Sequence, residues 1–286
     1  MLELFRRRRE VKSLDPSVKS LDPSVDSVGP AALGWANDTA IPDQMRQAWI
    51  QHGLVVPHGL FDSRQVDEYN TIVAKVRSAI DDGKDEFGYG DRIGQLHQKY
   101  NHLLELANSE RITQFLAWAF GDKPIVFGSL NFERGSTQAA HIDAIVFCPQ
   151  PTYSMAGLWV AREDIHPDSG PLFYIPGSHQ WPLAHGEDVV ATHPDLATLR
   201  IKARGLNDSG ERSAIVRKLS DAWTGDFARL LEERNAGKVT LELKKGDAVV
   251  WHSHLAHGGQ PRNNPKLGRR SCCLSFHWQP HEALYF

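Results

Sequence analysis

Between residues 41 and 120 the apolar positions recur at helical spacing. Met45, Ala48 and Trp49 follow Pro42 and predict a short helix ended by Gly53, after which the run LVVP predicts a strand. Asp62 or Ser63 caps a second helix whose inner face is Val66, Tyr69, Val73, Val76 and Ile80, stopped at Gly83. Residues 109–120 predict a third helix, with Ile112, Phe115, Leu116 and Ala119 on its buried stripe and Gly121 at its end. From Pro124 onward the pattern shortens to seven β-rich runs: IVFGSLNFE, AAHIDAIVFCP, YSMAGLWVAR, GPLFYIPGS, KVTLELKKGD, AVVWHSHLAHGG and RRSCCLSFHW. Without long helices between most of them, these runs predict antiparallel sheets in a sandwich or jelly-roll barrel. The fold class is therefore mainly β with helical N-terminal support. Residues 183–237 interrupt the β-rich half with a polar stretch that includes a helix-like piece at 223–235, an insertion long enough to serve as a lid.

The N-terminal region has a different character. VKSLDPS occurs at residues 11–17 and again at 18–24, a period of seven that would suit a coiled coil. Pro16 and Pro23 recur in each copy, and a proline inside a helix removes a hydrogen bond and clashes with the preceding turn, so no heptad seam forms. Residues 1–35 are expected to be a flexible tail, and residues 36–286 a single domain.

Charge and cysteine content narrow the partners. The 286 residues carry 32 Lys+Arg against 35 Asp+Glu, a formal charge of −3, so no overall basic field favours nucleic acid or an anionic membrane surface. Cys148, Cys272 and Cys273 cannot build a disulfide framework, and no apolar run is long enough to span a bilayer. A cytoplasmic protein with a small-molecule partner, and with neither nucleic acid nor membrane, is the expectation. Composition leaves the oligomeric state open.

The fourteen histidines supply the candidate chemistry. His141 and Asp143 stand two apart in a segment that reads as a strand, where alternate side chains share a face and can reach one metal ion. His166 with Asp168 and His193 with Asp195 repeat the H-x-D pattern, but proline lies between each pair and neither sits in an extended run. A third ligand from another strand is offered by His252, His254 or His257, and spacing does not choose among them. His257 adjoins Gly258 and Gly259, whose missing side chains leave room near a metal. Two imidazoles and one carboxylate on one face leave three positions open, which suits non-haem Fe(II) and dioxygen. Arg269 and Ser271, again two apart, suit the far end of a dicarboxylate, while Arg270 points the other way.

The segments SLNFERGSTQAAHIDA, GLWVA, DSGPLFYIPGSH, GDAVVWHSHLAHGG and GRRS, spread over residues 41–278, resemble the phytanoyl-CoA dioxygenase family of Fe(II)- and 2-oxoglutarate-dependent oxygenases. The resemblance implies a double-stranded β-helix, a cupin-like jelly roll. It implies Fe(II) held by His141, Asp143 and His257, with 2-oxoglutarate as co-substrate and O2 as oxidant. It places Arg269 at the distal carboxylate of 2-oxoglutarate, with Ser271 beside it, and Trp159 close by. Where many relatives have Gln after the first ligand and Ser after the H-G pair, this chain has Ile142 and Gly259, so Gln138 or Thr137 is expected to take over those polar contacts. The carboxylate of Asp143 fills the position that a halide-binding variant leaves vacant.

The implied activity is oxidation, by default hydroxylation, of a small-molecule metabolite with release of succinate and CO2. The family name does not by itself make the substrate an acyl-CoA, since a fold and its cofactor site outlast substrate choice. The rival reading is a catalytically silent β-barrel binding or regulatory module of the same fold.

Overall fold

A computed structural model describes residues 41–80, 92–100, 104–147, 154–181, 193, 195–196, 198–199, 202 and 209–278. The expected tail with its tandem repeat, the stop at Gly83, and Cys148 lie outside the described residues. Helix α1, Asp43–His52, ends where Gly53 enters the left-handed region (φ 76°) and its N–H closes on the Trp49 carbonyl. The chain continues into β1, Leu54–Val55. Asp62 caps α2, Ser63–Ser78, through a reciprocal capping box with Gln65. This helix ends at Ser78, short of the expected stop.

Strand β2 (Arg92–Gly94) and the single turns α3 (Leu96–Lys99) and α4 (Leu104–Ala107) follow, all too short to show a period in sequence. Helix α5, Glu110–Phe120, ends on another left-handed glycine, Gly121. The β half then runs β3 (Pro124–Phe132), the turn α6 (Asp143–Phe147), β4 (Met155–Ala161), β5 (Leu172–Tyr174), the long helix α7 (Ser209–Glu233), β6 (Val239–Thr240), β7 (Ala248–His252), β8 (His257–Gly259) and β9 (Ser271–Trp278).

All strand pairs are antiparallel. The larger sheet has the order β1-β7-β4-β9-β3-β2 and the smaller β6-β5-β8. Side-chain alternation explains the layers. Ala156, Leu158 and Val160 of β4, Ala248 and Val250 of β7, and Cys272, Leu274 and Phe276 of β9 pack with α1, α2 and α5. The residues between them, Trp159, Ala161, Val249 and Trp251, meet Leu172 and Tyr174 of the smaller sheet and Leu241, Leu243 and Leu255 from the flanking loops. Strands covered on both faces read as nearly unbroken apolar runs, as MAGLWVA and AVVWH do. Two facing antiparallel sheets with helices behind the larger one constitute the expected jelly-roll, cupin-like fold.

Three local expectations change. The run containing His141 and Asp143 is not a strand: His141 forms a single bridge with His257, and Asp143 begins α6. The ladder does not continue: in antiparallel pairing the next bonded residue opposite Asp143 would be Leu255, whose N–H bonds the His252 carbonyl and whose carbonyl faces His257 Nδ1. The run AVVWHSHLAHGG is two strands in different sheets, β7 and β8. They are separated by a turn in which the Leu255 N–H bonds the His252 carbonyl and the His254 N–H bonds His252 Nδ1. In KVTLELKKGD only Val239–Thr240 pairs.

The insertion contributes its own core. Ile215, Leu219, Trp223 and Phe227 of α7 pack against Ile142, Ala144 and Ala256, directly behind the bridged histidines. Trp223 and Phe227 stack at 4.5 Å. Truncating Trp223, which is 1% exposed, to Ala is expected to cost about 3–5 kcal/mol in urea unfolding, as for other large buried aromatics.

Candidate active site

The bridge that ends the ladder also assembles the site. His141 N–H bonds the His257 carbonyl and His257 N–H bonds the His141 carbonyl, each at 3.0 Å, so the two imidazoles are delivered side by side with ring centroids 4.5 Å apart. Asp143, at the start of α6, brings its Oδ1 to 4.0 Å from His141 Nε2 and 3.8 Å from His257 Nε2. Ligand atoms of all three residues lie within 4.8 Å of one another. Chain reversal into α6, rather than strand alternation, places the carboxylate on the same side as the imidazole two residues earlier.

Each histidine is oriented by its own backbone. His141 Nδ1 lies 2.9 Å from the Ala139 carbonyl and His257 Nδ1 lies 2.9 Å from the Leu255 carbonyl. A carbonyl only accepts, so Nδ1 carries the proton in both rings and both Nε2 lone pairs face Asp143, the tautomer a metal ligand needs. Burial first, and then the neighbouring His257, hold the His141 imidazole below its ordinary pKa, which favours the neutral, ligating form. Asp143 Oδ2 accepts a hydrogen bond from Trp251 Nε1 at 2.8 Å.

A cavity of about 370 Å³, within the range usual for small-molecule sites, opens beside these residues. Its wall includes Arg269, Trp159, Phe132 and Gln138. Arg269 lies two residues before β9, held there by its N–H to the Glu133 carbonyl, and it is 1% exposed. One guanidinium nitrogen bonds the Gly170 carbonyl at 2.9 Å, and the guanidinium carbon Cζ lies 5.8 Å from the Trp159 ring centroid and 5.9 Å from that of Phe132. Arg269 Nε and Trp159 Nε1 are both buried without a hydrogen-bond partner. No carboxylate among the described residues pairs with Arg269. Burial, followed by repulsion from Arg92 and Arg262, lowers its pKa to about 10, so it remains a cation at neutral pH. A buried cation with unused donors is costly unless an anion completes it. A dicarboxylate reaching from a His-Asp-His metal site to Arg269 would supply that anion, and the donor set itself suits Fe(II). The residues present fit both groups.

Other expected positions fall differently. Gln138 lines the cavity, whereas Thr137 is exposed, has φ 52°, gives its hydroxyl to the Ser136 carbonyl and is off the cavity wall. Ser271 is fully buried with Oγ unpartnered, but it too is off the wall. Arg270 is turned outward and pairs with Glu163, as alternation requires. His252 and His254 are not part of the ligand cluster; the His252 ring packs between Trp49 and His179. Gly258 lines the cavity, and a side chain at Gly258 or Gly259 would run into other protein atoms. A Cβ on Gly258 would come within 2.6 Å of the Gln138 carbonyl, and one on Gly259 within 3.0 Å of Ser136 Oγ. Sequence reasoning missed Trp251, legible only as one of several apolar residues in AVVWH, and missed Arg92 and Gln95, which line the cavity from a segment without periodicity.

Residues 49–271 match the phytanoyl-CoA dioxygenase family over most of the domain. The chain belongs to that family. Among named members, phytanoyl-CoA dioxygenase domain-containing protein 1 of Mus musculus is 22% identical over 179 residues, 61% of this chain and 53% of the mouse protein. The chain thus matches about half the length of this relative. The fold is shared with the epimerase SnoN of nogalamycin biosynthesis, solved in complex with Fe3+, alpha ketoglutarate and nogalamycin RO. SnoN has a TM-score of 0.59 at 21% identity, with 83% of this chain and 86% of that chain covered. It is shared likewise with EctD from S. alaskensis, solved with 2-oxoglutarate and 5-hydroxyectoine, at TM-score 0.58 and 19% identity over 93% of this chain and 87% of that chain.

For this member of the phytanoyl-CoA dioxygenase family, the convergence of three ligands has a direct consequence. Fe(II) or Co(II) at a hundred times its Kd is expected to stabilise the fold by about 2.7 kcal/mol, raising Tm reversibly to EDTA. The shift should vanish in His257→Ala and persist in His254→Ala, and differential scanning fluorimetry reads both.

Proposed function

We propose that the protein is an Fe(II)- and 2-oxoglutarate-dependent dioxygenase that oxidises, by default by hydroxylation, a small-molecule metabolite. The observation that carries this reading is the buried Arg269 with unused donors, set in the same cavity as the His141, Asp143 and His257 cluster. A metal site alone fits many activities. A metal site sharing its cavity with an uncompensated guanidinium fits a chelating dicarboxylate.

In this reading His141, Asp143 and His257 hold the iron on one face and leave its other positions to ligands. Arg269 pairs with the distal carboxylate of 2-oxoglutarate, and its rigid fork fixes the co-substrate's direction as a lysine would not. Trp159 Nε1 is the second donor on that wall, and Gln138 adds an amide near the cavity mouth. Iron, 2-oxoglutarate and O2, when bound, supply oxidative decarboxylation to succinate and CO2 and the oxidation of a substrate C–H bond. The protein's own part is positioning and the exclusion of water by Phe132, Phe147 and Leu172 along the cavity. Residues 183–237 are assigned a covering role over this domain, with α7 bracing the segment that carries the first two ligands. The substrate assigned is a free metabolite.

Purified protein supplied with Fe(II), ascorbate and 2-oxoglutarate is expected to release succinate above a metal-free control. His257→Ala should reduce this to the control level. Arg269→Met should raise KM for 2-oxoglutarate about ten- to a hundredfold while changing kcat less, because it removes charge-assisted hydrogen bonds to the bound co-substrate. Wild-type succinate release no higher than the metal-free control, with a panel of candidate metabolites present, would count against the assignment and favour a silent binding module.

A further inference from the structure

The two oxygens of Asp143 face different partners. Oδ1 looks toward both Nε2 atoms, whereas Oδ2 is held at 2.8 Å by the indole N–H of Trp251. Trp251 is 3% exposed, and its ring also packs on His257 with centroids 4.6 Å apart, so one indole touches two of the three ligands. An indole N–H donates and cannot ligate, so it occupies a carboxylate oxygen without competing for the metal.

The neighbouring strand is shaped to admit this ring. Gly157 of β4 is the direct cross-strand partner of Trp251, and a Cβ at 157 would lie 2.4 Å from Trp251 Cε2 and 2.6 Å from Nε1. A side chain at 157 would therefore displace the very edge of the indole that holds Asp143. Packing alone does not require this arrangement, since a phenylalanine would fill much of the same core.

We propose that Trp251 is a positioning residue that limits Asp143 to one metal-binding oxygen and so keeps open a coordination position for the chelating co-substrate, an inference that rests on the iron and 2-oxoglutarate reading above. Carboxylates ligate through one oxygen or both, and the choice is set by what else binds the second oxygen. A facial His-Asp-His site accepts a bidentate ligand together with dioxygen only while its carboxylate takes a single position. With the indole N–H removed, Oδ2 is released to swing onto the metal and occupy a position 2-oxoglutarate needs.

The test separates affinity for metal from affinity for co-substrate, using Co(II) as a visible probe and 2-oxoglutarate without oxygen. Trp251→Phe, which keeps a ring against His257, and Gly157→Ala, which displaces the indole indirectly, are expected to bind Co(II) within about threefold of wild type. Their Kd for 2-oxoglutarate on the Co(II)-loaded protein should rise about tenfold or more, the scale of one hydrogen bond to a charged group. The Co(II) visible spectrum of each variant without 2-oxoglutarate should also differ from wild type, reporting the changed coordination. Equal losses of Co(II) and 2-oxoglutarate affinity, as a filler of the core would give, overturn the inference, and so does no change in either. Should Gly157→Ala fail to fold, Trp251→Phe decides alone. Wild-type protein that binds Co(II) but no 2-oxoglutarate overturns instead the functional reading on which the inference stands.

Discussion

The architecture of the site depends on one pair of backbone hydrogen bonds. The reciprocal bonds between His141 and His257 are a ladder of minimal length, joining two segments far apart in the chain, yet they set the separation of two imidazoles more tightly than any side-chain contact could. On one side of this bridge the two segments stay joined, with the Gly259 N–H on the Gln138 carbonyl. On the other, the Leu255 N–H bonds the His252 carbonyl and the Ala144 N–H bonds the Ser253 carbonyl, so the pairing ends and the chain turns into α6 with Asp143 beside the two imidazoles. Because buried backbone groups must be paired, the site's geometry is a by-product of satisfying them.

The second organising feature is electrostatic incompleteness. Arg269 is buried among Phe132, Trp159 and the backbone of Gly170, with Arg92 and Arg262 raising the positive charge around it and no carboxylate among the described residues paired with it. The contrast with Arg162 is instructive. That residue is equally buried and its Nε is likewise unpartnered, yet its terminal nitrogens bond Asn70, the Phe132 carbonyl and the Glu133 carboxylate, so its charge is paired within the protein. One arginine has its charge paired by a carboxylate of the protein; the other has a single carbonyl bond, to Gly170, and lines the cavity. Both lie near the same end of β3, so burial alone would not tell them apart.

Much of the fold was legible because the large periodic elements carry their own signals. Helices α1, α2 and α5 were visible from apolar stripes, and their caps at Gly53, Asp62 and Gly121 are local chemistry. β4 and β7 were visible because burial on both faces demands continuous apolar runs. Elements of two to four residues, such as β2, α3, α4 and β6, were not, since so few positions cannot express a period. At the H-x-D pair the alternation expected of a strand gives way to a bridge at His141 followed by a turn of helix from Asp143.

The sequence by itself determined the residue types that can meet a metal and a dicarboxylate, the alternation that layers the strands, and the stops of the helices, because each is written in neighbours close along the chain. Only the tertiary structure decided that His257 rather than His252 or His254 joins Asp143, that a side chain at Gly258 or Gly259 would run into other protein atoms, and that Trp251 holds the second carboxylate oxygen. Those outcomes depend on which backbone groups remain unpaired when β7 and β8 part into different sheets. That is a property of the whole packed chain, and no local window contains it.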